Sequence, residues 1–205
     1  MMELDRRRQR GERARAQVLE HSTAIASTEG LEGLSIGRVA TDAGVGKGNI
    51  QVLFGDKEAL QLATLESAVA LYQRNVVDPA MQEPKPASRL EALVDGWFGF
   101  VEARTLPGGC FINAVSSEYR ARPGRIRDRI NEHRKEIRSR FADLIRAAQE
   151  AHEFRTDLDV EQMVFELVAY QAAANVASLM GDSDEFFRAR TSSVELVRLA
   201  TTRED

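Results

Sequence analysis

The sequence predicts an all-α protein with a small N-terminal domain of three helices and a larger helical C-terminal domain. Along most of the 205 residues, apolar residues recur with the period of an amphipathic helix. No segment alternates apolar and polar residues as a half-buried strand does. Glycine and proline pairs separate the helical segments. We expect the two domains to cover residues 1–56 and 57–205.

The most informative segment is residues 34–54, LSIGRVATDAGVGKGNIQVLF. Its spacing predicts a helix-turn-helix, in which two short helices cross over a tight turn. Ala40 supplies the small side chain that the crossing point requires, and Gly44 can take the positive φ that the turn needs. Ser35 is placed to cap the first of these helices. An ordinary helical hairpin is the alternative, because alanine and glycine are common residues.

The flanking residues add helices on both sides of the motif. A first helix with an apolar face over residues 16–25 is followed by Gly30 and Gly33, which end it. After the motif, Asp56 can cap a further helix, and Glu58 suits the positive end of that helix. The motif therefore sits between one long helix and the start of the next.

Over residues 12–60 the sequence resembles the TetR family of bacterial transcriptional regulators. The Ala-Gly-Val turn and the Phe-x-x-Lys-Glu sequence after the motif carry the resemblance. Three positions depart from the family pattern. Gln51 replaces an aromatic residue that contacts a phosphate, Leu53 replaces a histidine, and Gly46 replaces the serine that caps the recognition helix. Beyond residue 60 the chain matches the family only in length and helical character.

We expect the recognition helix, residues 47–53, to enter the major groove of DNA. Lys47 and Lys57 would pair with phosphates, aided by the amide ends of their helices. Asn49 and Gln51 would read bases, because a carboxamide can bind adenine in two places. The predicted DNA-binding residues are Ser35, Arg38, Lys47, Gly48, Asn49, Gln51 and Lys57.

The charge is distributed unevenly along the chain. There are 28 basic and 32 acidic residues, and the net charge of −4 argues against a strongly basic nucleic-acid-binding protein. However, six arginines lie among the first 15 residues, against three acidic residues. A DNA-binding regulator needs a local basic surface and not a high overall charge. This run, which includes Arg7 and Arg8, is either a solvated tail or an arm that touches the DNA backbone or minor groove.

The rest of the chain predicts further helices. One covers residues 57–77 and ends at Asp78-Pro79, and a linker follows at residues 83–86. An amphipathic helix over residues 90–101 ends at Pro107-Gly108-Gly109. The remaining segments are a short one at 110–120, a long helix over 126–148, an apolar helix over 160–180 and a closing helix over 186–200.

The last two helices suggest a homodimer. The apolar helix has a small-residue face that allows another helix to approach closely, and the closing helix adds larger apolar residues. These residues are Leu167, Val168, Ala172, Ala173, Ala174, Ala177 and Ser178, with Phe187, Val194, Val197 and Leu199. The resemblance implies that two such helices from each subunit form a four-helix interface, and a two-fold dimer would read a palindromic site. The alternative is that these residues fill the core of one subunit.

The sequence contains no clear pattern of catalytic residues. His21, His133 and His152 are scattered on charged helices, where we expect surface residues. Cys110 has no companion cysteine, and no cluster has metal-ligand spacing. We therefore predict a protein that is not an enzyme and has no metal or cofactor. The N-terminus lacks the apolar core of a signal peptide, and the charge-free run at residues 167–181 is too short to span a bilayer, so we expect a cytoplasmic protein with no membrane contact.

The resemblance implies that the C-terminal domain senses a small molecule. Aromatic residues and a few polar groups on otherwise apolar helices are the usual composition of a ligand pocket. The candidates are Trp97, Phe100, Phe111, Asn113, Glu118, Tyr119, Tyr170, Gln171 and Asn175. We therefore predict a ligand-responsive repressor that a small hydrophobic or aromatic effector releases from its operator. The alternatives are a regulator of the same fold controlled by a protein partner or by no effector, and a helical enzyme or carrier.

Overall fold

The computed structural model describes residues 2–202, with side chains described for residue 6 and from residue 9 onward. Its helices are α1 (Met2–Glu29), α2 (Ile36–Asp42), α3 (Lys47–Phe54), α4 (Lys57–Tyr72), α5 (Asp78–Ala80), α6 (Pro86–Glu102), α7 (Phe111–Tyr119), α8 (Arg125–Glu150), α9 (Val160–Met180) and α10 (Ser183–Ala200). A π-helical turn, Gln73–Val77, joins α4 to α5. Within residues 2–202 the one extended pairing is an isolated bridge between Phe154 and Thr201. The all-α prediction is therefore confirmed.

The chain forms two compact units. Unit 1 consists of Met1–Ala70 and Leu106–Arg127, and unit 2 consists of Leu71–Thr105 and Asp128–Asp205. The chain passes from unit 1 to unit 2 near the end of α4 and returns to unit 1 before α7. It enters unit 2 again near the start of α8. The helix-turn-helix motif and α7 therefore belong to the same unit.

The helix-turn-helix is confirmed in unit 1. Ser35 caps α2, with its hydroxyl accepting a hydrogen bond from the Arg38 N–H at 3.1 Å. Ala40 is buried where α2 and α3 pack together, and Gly44 has a φ of +64° in the turn between them. The local signals of the sequence, a cap, a small residue and a glycine, thus produce the predicted motif. Of the N-terminal arginine run, Arg7 and Arg8 lie outside the described side chains.

The helix that begins at Lys57 continues past its predicted end. Proline has no N–H and its ring presses on the carbonyl of the preceding turn, which normally ends or kinks a helix. Here the π-helical turn Gln73–Val77 directly precedes Asp78 and Pro79, and the helical path continues to Ala80. The prediction that Asp78-Pro79 ends the helix was therefore wrong, because Pro79 lies in the first turn of α5, where a proline is tolerated.

The core of unit 2 is built around α6, α9 and α10. One face of α9, which includes Met163, Leu167 and Ala174, is buried. Among the described residues α9 is also the one helix long and apolar enough to cross a membrane, with a mean hydropathy of 1.3. A buried core helix passes the same test of length and composition. In this structure 39% of the apolar stretch of α9 is buried, on the face that packs within unit 2.

Candidate DNA-binding surface and sensor residues

The recognition helix α3 presents a polar face at the surface of unit 1. Ile50 is fully buried and anchors the helix, whereas Lys47, Gly48, Asn49 and Gln51 are all exposed. The helix begins after an N-cap glycine, which has no side chain to occupy the first backbone N–H groups. An exposed helix N-terminus of this kind favours an anion such as a phosphate. The predicted base-reading and phosphate-binding residues of α3 are therefore all accessible.

Two other predicted DNA-binding residues are already engaged within unit 1. Arg38 donates two hydrogen bonds of 2.7 Å to the carboxylate of Glu29. The Lys57 ammonium donates to the Glu32 carbonyl at 3.0 Å and lies 3.5 Å from the Glu32 carboxylate. All four side chains are partly exposed, and exposed ion pairs contribute little to stability. A DNA phosphate can therefore compete for both cations.

Glu32 is the centre of a polar network in unit 1. The Tyr119 hydroxyl donates a hydrogen bond of 2.7 Å to its carboxylate, and Lys57 and Arg122 lie at 3.5 and 3.7 Å. The hydrogen bond from Tyr119 lowers the pKa of Glu32, and the two cations act in the same direction. Burial, followed by the hydrogen bond to Glu32, raises the pKa of Tyr119. The pair is therefore held as a charged acceptor and a neutral donor.

The nine predicted ligand-binding residues are divided between the two units. Unit 1 contains Phe111, Asn113, Glu118 and Tyr119, and unit 2 contains Trp97, Phe100, Tyr170, Gln171 and Asn175. In unit 2, the Trp97 ring meets the Phe98 ring edge-on at 5.0 Å between centroids, and the Phe100 ring meets Tyr72 in the same way at 5.9 Å. These aromatic residues thus contribute to packing inside unit 2.

Gln171 stands out among the polar residues of unit 2. Its side chain is 5% exposed, and its Nε2 is buried with no hydrogen-bond partner. It lies on the same buried face of α9 as Asn175, among apolar residues such as Leu167 and Ala174. A buried amide without an acceptor is costly, and a ligand with a carbonyl or ether oxygen could satisfy it.

His133 is buried, although the sequence predicted a surface position for it. Its side chain is 3% exposed, and its Nδ1 lies 3.0 Å from a carboxylate oxygen of Glu136. The expectation was wrong because His133 falls on the buried stripe of α8, between Ile130 and Phe141. Among the described residues, no group of three or more histidine, cysteine, aspartate or glutamate residues could hold a metal ion.

A surface cavity of about 590 Å³ in unit 2 is lined by Arg155, Arg198, Leu199 and Thr201. Both arginines already have acidic partners: Arg198 bonds Glu195 at 2.7 Å, and Arg155 lies 3.6 Å from an aspartate. None of the predicted ligand-binding residues is among those that line this cavity. The cavity therefore gives no support to the predicted sensor residues.

Large apolar side chains remain exposed on α9 and α10. On α9, Val176 is 60% exposed and Met180 is 80% exposed, and on α10, Phe187 is 52% exposed. The set that we call the open apolar face is Phe165, Val176, Leu179, Met180, Phe187 and Val194, whereas Leu199, also exposed, lines the surface cavity. On α9 the members recur at helical spacing and form a stripe, which is unusual on a free surface.

The small-residue face of α9 lies partly inside unit 2. Ala174, Ala177 and Leu167 are at most 1% exposed, whereas Ala172 is exposed. Of the residues predicted for the dimer interface, Leu167, Ala174 and Ala177 therefore fill the core of unit 2, as the alternative of a core within one subunit predicts. The small residues permit close packing within the same chain, and the stripe left open consists of larger side chains.

A comparison with protein-family models matches residues 86–193 to the C-terminal domain of tetracycline-repressor-like proteins. The match spans more than half of the chain, and the helix-turn-helix that it does not include is present in unit 1. The chain belongs to the TetR family. It is therefore a DNA-binding transcriptional regulator by family. A comparison with curated proteins gave no match.

Solved structures of the TetR family share this fold along almost the whole chain. A regulator from Chloroflexus aurantiacus superposes with a TM-score of 0.86 at 20% identity, covering 94% of this chain and 98% of its own. A regulator from Cytophaga hutchinsonii gives 0.84 at 18% identity, covering 95% and 98%. AibR, solved in complex with isovaleryl coenzyme A and operator DNA, gives 0.70 at 15% identity, covering 91% and 99%.

One residue of the TetR-type recognition helix was missed by sequence reasoning. Val52 is 86% exposed on α3, beside Gln51. An exposed apolar residue on a recognition helix can contact the methyl group of thymine. The signal was present in the sequence, because a residue two positions after the buried Ile50 points to the opposite side of a helix. Val52 therefore joins Asn49 and Gln51 as a candidate base reader.

Proposed function

We propose that this TetR-family protein is a repressor that binds a palindromic operator as a homodimer and is released by a small-molecule effector. The observation that carries this proposal is the exposed face of α3, with two carboxamides, a lysine and an exposed valine above a buried anchor. We assign DNA binding to residues 1–56 and ligand binding and dimerisation to residues 57–205. The protein acts in the cytoplasm and has no enzymatic activity.

On DNA, we infer that Asn49, Gln51 and Val52 read base edges in the major groove. Lys47 and Lys57 contact phosphates, which fix the register of the helix without reading sequence. The operator complex of AibR, a structural neighbour, supports this use of the fold. Lys57 would exchange its contacts with Glu32 for a phosphate on binding.

We infer that the open apolar face is covered by the same face of a second copy. A two-fold interface requires a self-complementary patch, and apolar side chains on two adjacent helices satisfy this requirement. Two recognition helices related by the two-fold axis would then read two half-sites of a palindrome. A single α3 contacts too few base pairs to select an operator alone.

We infer that the effector is hydrophobic and carries a hydrogen-bond acceptor. The unpartnered amide of Gln171 supports this chemistry, because an oxygen atom of the ligand would accept its hydrogen bond. AibR was solved in complex with isovaleryl coenzyme A and operator DNA, so a protein of this fold can hold an acyl compound. The ligand would favour a DNA-incompetent state by its differential affinity for the two states.

The alternative is a regulator that responds to a protein partner or to no effector. This alternative is favoured by the aromatic contacts of Trp97 and Phe100, because side chains that pack against each other in unit 2 leave less room for a ligand. A thermal-shift screen with hydrophobic and aromatic compounds separates the two, because a ligand that binds only the native state raises the melting temperature. A Gln171→Leu variant serves as the control, and a hit should lose its stabilising effect in that variant.

The experiment that tests the proposed function is selection of duplexes from a random-sequence pool. We expect a palindromic duplex bound by a dimer, as measured by gel filtration with light scattering. A hit from the thermal-shift screen should then bind more weakly in the presence of that duplex, by the same factor by which it weakens DNA binding. Equal ligand affinities with and without the duplex would move the assignment to the partner-controlled alternative.

A further inference from the structure

The surface cavity of unit 2 combines two arginines with an apolar side chain. The described residues that line its volume of about 590 Å³ are Arg155, Arg198, Leu199 and Thr201. Sites for small molecules commonly have volumes of about 300–1,000 Å³ and join apolar walls to a few polar groups. The size and the lining of this cavity therefore suit a small ligand. We call it the arginine cavity.

Two segments that are far apart in the chain are joined at this cavity. The Arg155 N–H donates to the Ala200 carbonyl at 2.9 Å, and the Thr202 N–H donates to the Glu153 carbonyl at 3.0 Å. The Gln149 side-chain amide donates a further hydrogen bond of 3.0 Å to the Arg155 carbonyl. The backbone beside the cavity is thus fixed without a ligand, and such preorganisation lowers the entropy cost of binding.

Two carbonyl groups at the end of α10 are already hydrogen-bonded. The last carbonyl groups of a helix have no partner within the helix, and they disfavour an anion. Here the Ala200 carbonyl accepts the Arg155 N–H, and the Arg198 carbonyl accepts the Thr201 hydroxyl at 2.6 Å. Because the protein itself satisfies these acceptors, they oppose an anion in the cavity less strongly.

Both guanidinium groups keep N–H donors for a ligand. A guanidinium has five N–H donors in a rigid fork. Arg198 uses Nε and Nη2 for the Glu195 carboxylate, at 2.7 and 2.5 Å, so the two N–H groups of Nη1 remain. Arg155 lies 3.6 Å from Asp157, which is beyond hydrogen-bond distance, and both of these side chains are exposed. An oxyanion can therefore approach either guanidinium without breaking a buried contact.

Leu199 supplies the apolar wall of the cavity. Its side chain is 51% exposed, so a ligand that covers it removes apolar surface from water. Leu199 lies about 140° around α10 from Val194, a member of the open apolar face. The wall therefore points away from that face, and a second copy can cover the face without covering the wall.

We propose that the arginine cavity binds a small amphipathic oxyanion, with its charged head on Arg155 and Arg198 and its apolar part on Leu199. The head is a carboxylate or a phosphate ester, because the arginine fork matches both. This site goes beyond the proposed function. Gln171, around which the effector was inferred, is not among the lining residues, and the inference does not depend on DNA binding.

Isothermal titration calorimetry with the full-length protein tests the site. The probes are hexyl phosphate and hexanoate, which carry both halves of the proposed ligand, and inorganic phosphate and hexanol, which carry one half each. We expect saturable binding of hexyl phosphate, hexanoate or both, one per subunit, that weakens with added salt. Inorganic phosphate and hexanol should each bind about tenfold more weakly or less, because each lacks one set of contacts.

Variants at the cavity wall decide where the probe binds. Arg155→Gln and Arg198→Gln each remove one exposed charge and should weaken binding by about tenfold or more. Leu199→Gln should reduce the affinity for hexyl phosphate to that for inorganic phosphate. The matched control is Arg146→Gln, because Arg146 is similarly exposed and pairs with Glu161 at 2.7 Å outside the cavity. This control should bind the probe as the wild type does.

Several results would overturn the inference. One is the absence of saturable binding of both amphipathic probes, and another is full-strength binding in both Arg155→Gln and Arg198→Gln. Hexanol that binds as tightly as hexyl phosphate would also overturn it, because apolar burial alone would then account for the binding. Binding that is lost in Gln171→Leu and kept in the cavity variants would place the probe at the inferred effector site. That result would support the proposed function and overturn this inference.

Discussion

Each of the two units of this TetR-family protein is stabilised internally by a different kind of contact. In unit 1, the Glu118 carboxylate accepts the N–H groups of Leu31 and Glu32, and the Tyr119 hydroxyl donates to the Glu32 carboxylate, so α7 is attached to the α1–α2 loop. In unit 2, Phe98 is completely buried and meets the rings of Trp97 and Phe186 edge-on, at 5.0 and 5.7 Å between centroids. The first set of contacts is directional and charged, and the second is apolar.

This difference indicates which unit can respond to a signal. Aromatic packing involves no titratable or charged group, so it depends little on pH or salt. A charge-assisted hydrogen bond is lost over a short distance, and the unpaired groups that remain favour a new partner such as water or a phosphate. We therefore expect unit 2 to determine stability and assembly, and the polar contacts of unit 1 to determine DNA binding.

The largest effect should come from a charge on the open apolar face of unit 2. In a two-fold dimer, Val176→Asp buries two carboxylates, and an unpaired buried charge costs about 3–5 kcal/mol. Since Val176 is exposed in one subunit, we expect a folded monomer with weak operator binding, as seen by light scattering and circular dichroism. Ala177→Asp is the contrasting variant, because Ala177 is buried and the change should disrupt unit 2 itself. If the Val176→Asp variant remains dimeric and still binds the operator, the dimer interface lies elsewhere.

The next effect tests the aromatic core. Phe98→Ala should lower the free energy of unfolding by about 3–5 kcal/mol, because Phe98 is fully buried and its removal leaves a cavity. Urea unfolding monitored by circular dichroism measures the change. Val52→Ala, at a position that is 86% exposed, should change stability by less than about 0.5 kcal/mol. A loss below about 1 kcal/mol for Phe98→Ala would show that unit 2 does not depend on its aromatic contacts.

A smaller effect is expected on the recognition face of unit 1. Gln51→Ala should relax the preference at particular base pairs, at about 1–3 kcal/mol of discrimination, as measured by repeating the duplex selection. Lys57→Ala is the matched comparison, since a lost phosphate contact should weaken binding to all sequences and reduce the salt slope by about one unit. An unchanged site preference in Gln51→Ala would show that Gln51 does not read bases.

The smallest effect concerns the pH dependence of the Tyr119–Glu32 contact. The pKa of Glu32 is lowered below its ordinary value of 4.5, first by the hydrogen bond from Tyr119. The stabilisation is therefore fully present above that value and is lost as the pH falls through the lowered pKa. We expect Tyr119→Phe to cost about 1 kcal/mol at neutral pH and less in acid, measured by urea unfolding across the pH range. Tyr170→Phe in unit 2 should show no such pH dependence.

The sequence alone determined the local features of this fold. The cap at Ser35, the positive φ at Gly44 and the exact limits of α9 followed from short-range signals. Capping, helix period and glycine conformation involve residues within a few positions of each other, so these signals need no knowledge of distant segments. The resemblance to the TetR family over residues 12–60 also rests on such short-range signals. The match of residues 86–193 to the family's C-terminal domain confirms the family.

Only the tertiary structure decided which faces are covered and which side chains meet. The burial of His133 and Ala177 and the attachment of Glu118 to Leu31 depend on segments far apart in the chain. A helical period shows that a face is apolar, but it does not show whether that face packs within the chain or remains open. Leu31 and Glu118 are 87 residues apart, and their contact exists because the folded chain returns to the first helix after leaving unit 1.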